Sequence, residues 1–302
     1  MNAAPAAPPA PTTDKETTTV PTPPRADCIA DSAGGITFDI ADRTATDNAL
    51  AWGAALVLRR RGGDSSADEV RLPLAPAAVG LLRAVLPSTV WLPEGRWNAF
   101  AAVGEAEPQR LLPGVNDLRS LVDRKPGSGV GLLGVRIPYE TKAGNLALRS
   151  WLRGPHAEAG EILVDEHGAT VHGRLYGTGQ PPGGRALARC RRDPSLELTV
   201  PVVADGPDFS FTLPYTGLAE HWEGGADAWD LWLLPAAEAD AAADHEPEAV
   251  RVARILDDVA DKKLIFSYPA SPVKAPYGDA QAGPYYTVDN DLSIRIDAPP
   301  TV

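Results

Sequence analysis

The sequence predicts an all-β protein made by tandem duplication: two antiparallel β-sandwiches, immunoglobulin-like or jelly-roll in topology, behind a disordered N-terminal tail. Three features predict it. Short runs alternate apolar and polar residues at period two, as in Val70, Leu72, Leu74 and in Leu196, Leu198, Val200; Gly and Pro clusters punctuate those runs; and the chain matches itself in order at a spacing of domain size.

The tail comes first. Residues 1–27 are dominated by Pro, Ala and Thr, with too little branched aliphatic surface to offset the entropy of ordering. A Pro-rich arm of this kind suits an SH3-like partner, and equally a plain spacer.

The self-matches then run along the rest of the chain. The sequence AGGI at 33–36 matches AGEI at 159–162, and ALVLRRR at 55–61 matches ALARCRR at 186–192. VRLPL at 70–74 answers LELTV at 196–200, and Leu82, Ala84, Leu86 and Pro87 alternate as Phe209, Phe211, Leu213 and Pro214 do. Trp97 pairs with Trp229, and PYETKAGNLALR from Pro138 aligns without a gap with PYYTVDNDLSIR from Pro284. Two copies of more than a hundred residues are each domain-sized, which places one sandwich at 28–153 and its repeat at 154–302, with about seven or eight strands in each. Helical spacing is expected only at 245–263, where Val250, Ala253, Ile255 and Leu256 share a face, and in a matching turn at 111–125 around Leu118, Leu121 and Val122.

Composition restricts the partners. Lys and Arg total 28 against 40 Asp and Glu, a net charge of −12, which disfavours nucleic acid and anionic bilayers. Two cysteines, Cys28 and Cys190, form no disulfide or zinc pattern and fit a reducing compartment. With no leader pattern at the start and no apolar run of membrane-spanning length, a soluble, cytoplasmic protein without membrane insertion is expected. No cofactor is expected, because GSGVG at 127–131 lacks the Lys of a phosphate-cradling loop and GTGQPPGG at 177–184 looks like a hairpin connection. No metal site is expected either; Asp289-Asn290-Asp291 lacks the closing Glu of a calcium loop and reads as a tight turn.

Candidate chemistry concentrates in GPHAEAGEILVDEHG, which sets His156, Glu158, Glu161 and His167 close together. This density suits acid–base or metal work, against the plainer alternative of a solvated turn entering the second copy. Trp91, Trp151 and Trp222 lack aromatic counterparts in the other copy and are candidates for a partner or sugar surface. Arg59 and Arg61, with Arg189 and Arg191, give each copy a basic strip able to steer an acidic partner or merely to blunt strand edges.

The stretches LRSWLRGPHAEAGEI, RVARILDDVADKK and PYYTVDNDLSIRI together resemble a group of actinobacterial proteins labelled transferases, whose genes lie beside glycosyltransferases and glycerophosphotransferases of cell-surface polymer synthesis. The resemblance implies a role in that chemistry and supplies no catalytic residue. The resulting expectation is a non-catalytic accessory module that binds a glycosyltransferase, another protein or a carbohydrate. The alternative is a glycosyl- or glycerophospho-transferase with its site between the two domains.

Overall fold

The computed structural model describes residues 23–41, 53–104, 107–122, 124–126, 131–178, 182–235 and 248–299. Most of the segment read as tail, residues 1–22, lies outside them, as do Trp52 and residues 127–130 of the GSGVG loop. The first strand opens at Arg25, so the last residues of that segment are strand.

The first copy runs β1 (Arg25–Ala30), β2 (Ile36–Ala41), β3 (Ala55–Arg60), β4 (Glu69–Pro73), β5 (Ala75–Ala78), β6 (Leu81–Leu86), β7 (Gly95–Ala102), β8 (Gln109–Arg110), β9 (Leu112–Asp117), β10 (Leu133–Glu140) and β11 (Leu146–Arg153). These form two sheets, ordered β5-β6-β2-β1-β9 and β10-β11-β7-β3-β4, with β8 on β7. The second copy runs β12 (His156–Val164), β13 (Gly168–Tyr176), β14 (Pro182–Cys190), β15 (Glu197–Pro201), β16 (Val203–Asp205), β17 (Asp208–Pro214), α1 (Tyr215–Ala219), β18 (Asp227–Pro235), β19 (Val250–Ala253), β20 (Ser271–Ala275), β21 (Gly278–Tyr286) and β22 (Leu292–Asp297). Its order is β16-β17-β13-β12-β19 and β20-β21-β22-β18-β14-β15, the same topology with β20 added at one edge. β19 pairs with both β12 and β18, doing with one strand what β8 and β9 do with two.

Each sandwich closes its own apolar interior. In the first, Phe38 and Ile40 from one sheet meet Leu56, Leu58, Trp97 and Leu148 from the other. In the second, Val171, Phe209 and Phe211 meet Trp229, Leu231 and Ile294. The repeated Trp97 and Trp229 are fully buried, where truncation to Ala costs roughly 3 to 5 kcal/mol. Both thiols are free and buried, and burial pushes that of Cys28 up to about 12.

Several expectations change. One pairing in each copy, β1 with β9 and β12 with β19, is parallel, because the last strand arrives from the opposite sheet instead of through a hairpin. Short and broken strands bring the count to eleven per copy among the described residues. The expected helix at 245–263 is instead strand β19, in which Val250 and Val252 alternate inward, followed by a 3-10 turn at Lys262–Leu264. The first copy does keep a helical turn, a 3-10 element at Arg119–Leu121. Of the segment 177–184, expected as a hairpin connection, residues 179–181 lie outside the described residues, and the strands on either side of it, β13 and β14, do not pair with each other.

The duplicate register is also sharper than the sequence suggests. Arg59 lies opposite Asn98 and Arg189 opposite Asp230, so Arg59 corresponds to Arg189, one residue away from the ALVLRRR/ALARCRR alignment. A slip of one would put these side chains on opposite faces. The AGGI/AGEI match fails: the first is a β1–β2 turn and the second lies within β12 at a bulge. The equivalent turns are set by Asp31, whose Oδ1 accepts the N–H of Gly35 (2.9 Å), and by Asp165, whose Oδ1 accepts that of Gly168 (2.9 Å).

Candidate functional site

The two copies meet where a hairpin turn of the second docks on the outer face of the first. The Thr287 hydroxyl oxygen accepts the N–H groups of Asp289 (3.1 Å) and Asp291 (3.2 Å), which fixes the turn. Asn290 sits in the left-handed region (φ 63°), where the first copy has Gly144 (φ 73°). Its side chain accepts the N–H of Lys262 (3.1 Å) and donates to the Ala260 carbonyl (3.3 Å). The Asp289 carbonyl accepts the Trp151 indole N–H (3.1 Å), and Arg149 pairs with the Asp289 carboxylate. Arg153 bridges Glu94 (2.8 Å) and Asp291 (2.9 Å). Beneath this ionic layer, Ala253 and Ile255 of the second copy pack in one cluster with Val135, Ile137 and Trp151 of the first.

The histidine–carboxylate cluster is divided by this arrangement. His156 is fully buried in β12, with Nε2 2.7 Å from Glu158 Oε2. Glu158 also accepts the backbone N–H groups of Ile255 (2.9 Å) and Leu256 (2.9 Å), so its carboxylate clips the junction loop to β12. Glu161 is exposed, and His167 is an exposed turn residue beside Glu166 (3.4 Å), roughly 30 Å along the strand from His156. His167 lies in a solvated turn, whereas His156 is enclosed with its ring nitrogen on Glu158. Among the described residues no group of three or more His, Cys, Asp and Glu is placed to hold a metal ion.

The remaining candidates separate by burial. Trp151 is buried at the junction, and Trp222 is buried with its N–H on the Gly225 carbonyl (3.0 Å). Trp91 is 61% exposed, on a loop whose carbonyls at Pro87 and Ser88 are held by the buried Arg136. The arginine strips are matched across strands: Arg59 to Glu69 (2.7 Å) and Arg189 to Glu197 (2.7 Å), equivalent pairs in the two copies. Arg191 binds Asp230 (2.6 Å), while Arg61 donates to the amide oxygen of Asn98 (2.9 Å). Burial pushes the Asp230 carboxyl up, and Arg191, Arg251 and Ser293 more than reverse this, holding it below the usual carboxylate range.

One groove was not legible in the sequence. Where the segment at 263–268 passes β18, β21 and β22, a cavity of about 390 Å³ is lined by Phe266, Tyr268 and Tyr285 with Lys263, Asp227 and Arg295. Phe266 is fixed by the Arg254 guanidinium 4.5 Å above its ring and by Tyr286 at its edge (5.8 Å). The signal that existed was the aromatic run IFSY at 265–268 and the first Tyr of PYY, neither of which has periodicity.

The architecture is that of a tandem β-sandwich protein. No family model matches this chain, and no curated protein does. Among solved structures, S. aureus TarS 217-571 is similar, with 15% identity over 64% of this chain and 56% of that one, at a TM-score of 0.29. A second structure of S. aureus TarS matches with 15% identity over 63% and 35%, at a TM-score of 0.28. The matched region thus spans little more than half of the first structure and about a third of the second. No described helix is long and apolar enough to cross a membrane.

Proposed function

We propose that this protein is a non-catalytic carbohydrate-binding module of two β-sandwich domains, divided near Gly154, that serves as an accessory to cell-surface glycan or polymer assembly. The observation that supports the reading is the groove of Phe266, Tyr268 and Tyr285. Rings supply flat apolar area for the C–H faces of a sugar, and the adjoining Lys263, Asp227 and Arg295 supply polar partners for its hydroxyls. Trp91, exposed on a loop that Arg136 holds, is a second contact point, suited to a glycosyltransferase or other protein partner. The transferase alternative, with a site between the two domains, draws on His156, Glu158, Glu161 and His167, of which Glu158 already has its carboxylate occupied by three donors.

Isothermal titration of the purified protein with oligosaccharides of glucose, galactose and N-acetylglucosamine tests the reading. Saturable binding by one of them, weakened at least about tenfold in Tyr268→Ala and Tyr285→Ala, is expected. The reading fails if none binds, or if the protein consumes an activated sugar donor and His156→Ala abolishes that turnover.

A further inference from the structure

The two copies present similar outer sheet faces that differ in charge at one half-buried centre, where Asp230 of the second has a neutral counterpart in the first. In the second sandwich Arg191, Arg251, Trp232, Tyr285, Asp230 and Ser293 form a closed set. The Asp230 carboxylate accepts from Arg191 (2.8 Å), Arg251 (2.5 Å) and the Ser293 hydroxyl (2.8 Å), and Arg251 lies 5.2 Å over the Trp232 ring.

Strand pairing identifies the counterpart of each in the first sandwich. Phe100 lies opposite Arg110 as Trp232 lies opposite Arg251. Asn98 and Ala147 face each other as Asp230 and Ser293 do, and Tyr139 lies opposite Ala147 as Tyr285 lies opposite Ser293. The N–H of Arg61 bonds the Arg96 carbonyl (2.8 Å) as that of Arg191 bonds the Ala228 carbonyl (2.8 Å). Both cations are therefore kept, and Arg110 still stacks on an aromatic ring, 4.9 Å from the Phe100 centroid. The carboxylate between them is replaced by the neutral Asn98, and the serine by the smaller Ala147.

Asn98 satisfies Arg61 Nε (2.9 Å) but cannot neutralise either guanidinium. Among the described residues, no acid pairs with Arg61 or Arg110, and Arg110 Nη1 and the Tyr139 hydroxyl are buried without a partner. Burial and the Arg61 charge both hold Arg110 below its ordinary value, as expected for two cations without an intervening anion. Arg61 is exposed, so the position is open to a ligand.

We propose that the first sandwich binds an oxyanion, a phosphate or carboxylate group, between Arg61 and Arg110, at the position that Asp230 fills in the second. Guanidinium forks suit both groups, and the partly enclosed sheet face strengthens the pairing relative to open water. The site lies on the other sandwich from the aromatic groove, so either can fail alone.

The test is titration at low ionic strength with inorganic phosphate, glycerol 3-phosphate, dimethyl phosphate and acetate, because salt screens such pairs. Saturable binding of at least one anion at one site is expected, and the preferred one tells a monoester, a diester and a carboxylate apart. Asn98→Asp, which installs the carboxylate of the second copy, is expected to weaken binding at least about tenfold without lowering the melting temperature. Arg110→Gln is expected to lose binding to the same extent. No binding up to about 10 mM, or unchanged affinity in a folded Asn98→Asp protein, overturns the proposal.

Discussion

The indole N–H of Trp151, in the first sandwich, donates to the main-chain carbonyl of Asp289 in the second, at 3.1 Å. Trp151 is fully buried and shares its cluster with Ala253 and Ile255, so it ties the two sandwiches together through both area and a directed bond. Trp151→Ala is expected to cost roughly 3 to 5 kcal/mol and to split thermal unfolding into two calorimetric transitions, one for each sandwich. Trp151→Phe keeps most of the area and loses the bond, so about 1 kcal/mol and a single transition are expected. A single transition in Trp151→Ala would show that the junction is held elsewhere.

Glu158 works from the other side of the same junction. Its carboxylate takes the N–H groups of Ile255 and Leu256 and one ring nitrogen of the buried His156. Glu158→Ala orphans all three and is expected to destabilise the protein by roughly 2 to 4 kcal/mol. Hydrogen exchange at the Ile255 and Leu256 amides reports this directly: protection lost there first, ahead of β18, is the expected pattern.

Acid stability follows from Asp230. Its folded-state value is depressed, since the pull of Arg191, Arg251 and Ser293 exceeds the opposing effect of burial. A depressed carboxylate contributes stability that is present above its unfolded value of about 3.9 and is lost as pH falls through the folded one. Wild type is therefore expected to lose stability on acidification below about pH 4. Asp230→Asn, less stable at neutral pH, should show a shallower slope in the same window, as read by urea denaturation at a series of pH values.

How far the sequence reveals the structure depends on what each segment can be confused with. The Pro138 and Pro284 hairpins align without error because their turns share Thr141 and Thr287, each of which bonds across the turn and fixes the register. The arginine runs do not, because a run of like residues matches itself equally well after a slip of one; only the pairs Arg59–Glu69 and Arg189–Glu197 set it. Val250, Ala253 and Ile255 satisfy a helical stripe, yet Val250 and Val252 also satisfy a strand, and pairing with β12 and β18 decides between them. Trp151 looks like a surface ring in isolation because residues of the second sandwich help to bury it, and the full burial of His156 in β12 leaves no local mark in the sequence. The groove at Phe266, Tyr268 and Tyr285 joins segments with no local pattern in common, so nothing short of the fold assembles it.

Asn290 tests whether the docked turn has been specialised relative to its twin. Gly144 holds the same left-handed position in the first copy with no side chain, and it is only half-buried; Asn290 is buried, and its amide holds the Lys262 N–H and the Ala260 carbonyl. Asn290→Ala keeps the strained backbone and loses both bonds, so a cost of roughly 2 to 4 kcal/mol is expected. Asn290→Gly relieves the strain and loses the same bonds, so it should fall between Asn290→Ala and wild type. Gly144→Asn carries no buried partners and should change stability by less than about 1 kcal/mol. Chemical denaturation of the three variants gives the order. If Asn290→Gly proved as stable as wild type, the amide bonds would contribute nothing, and the turn would be held by its contacts with Trp151, Arg149 and Arg153.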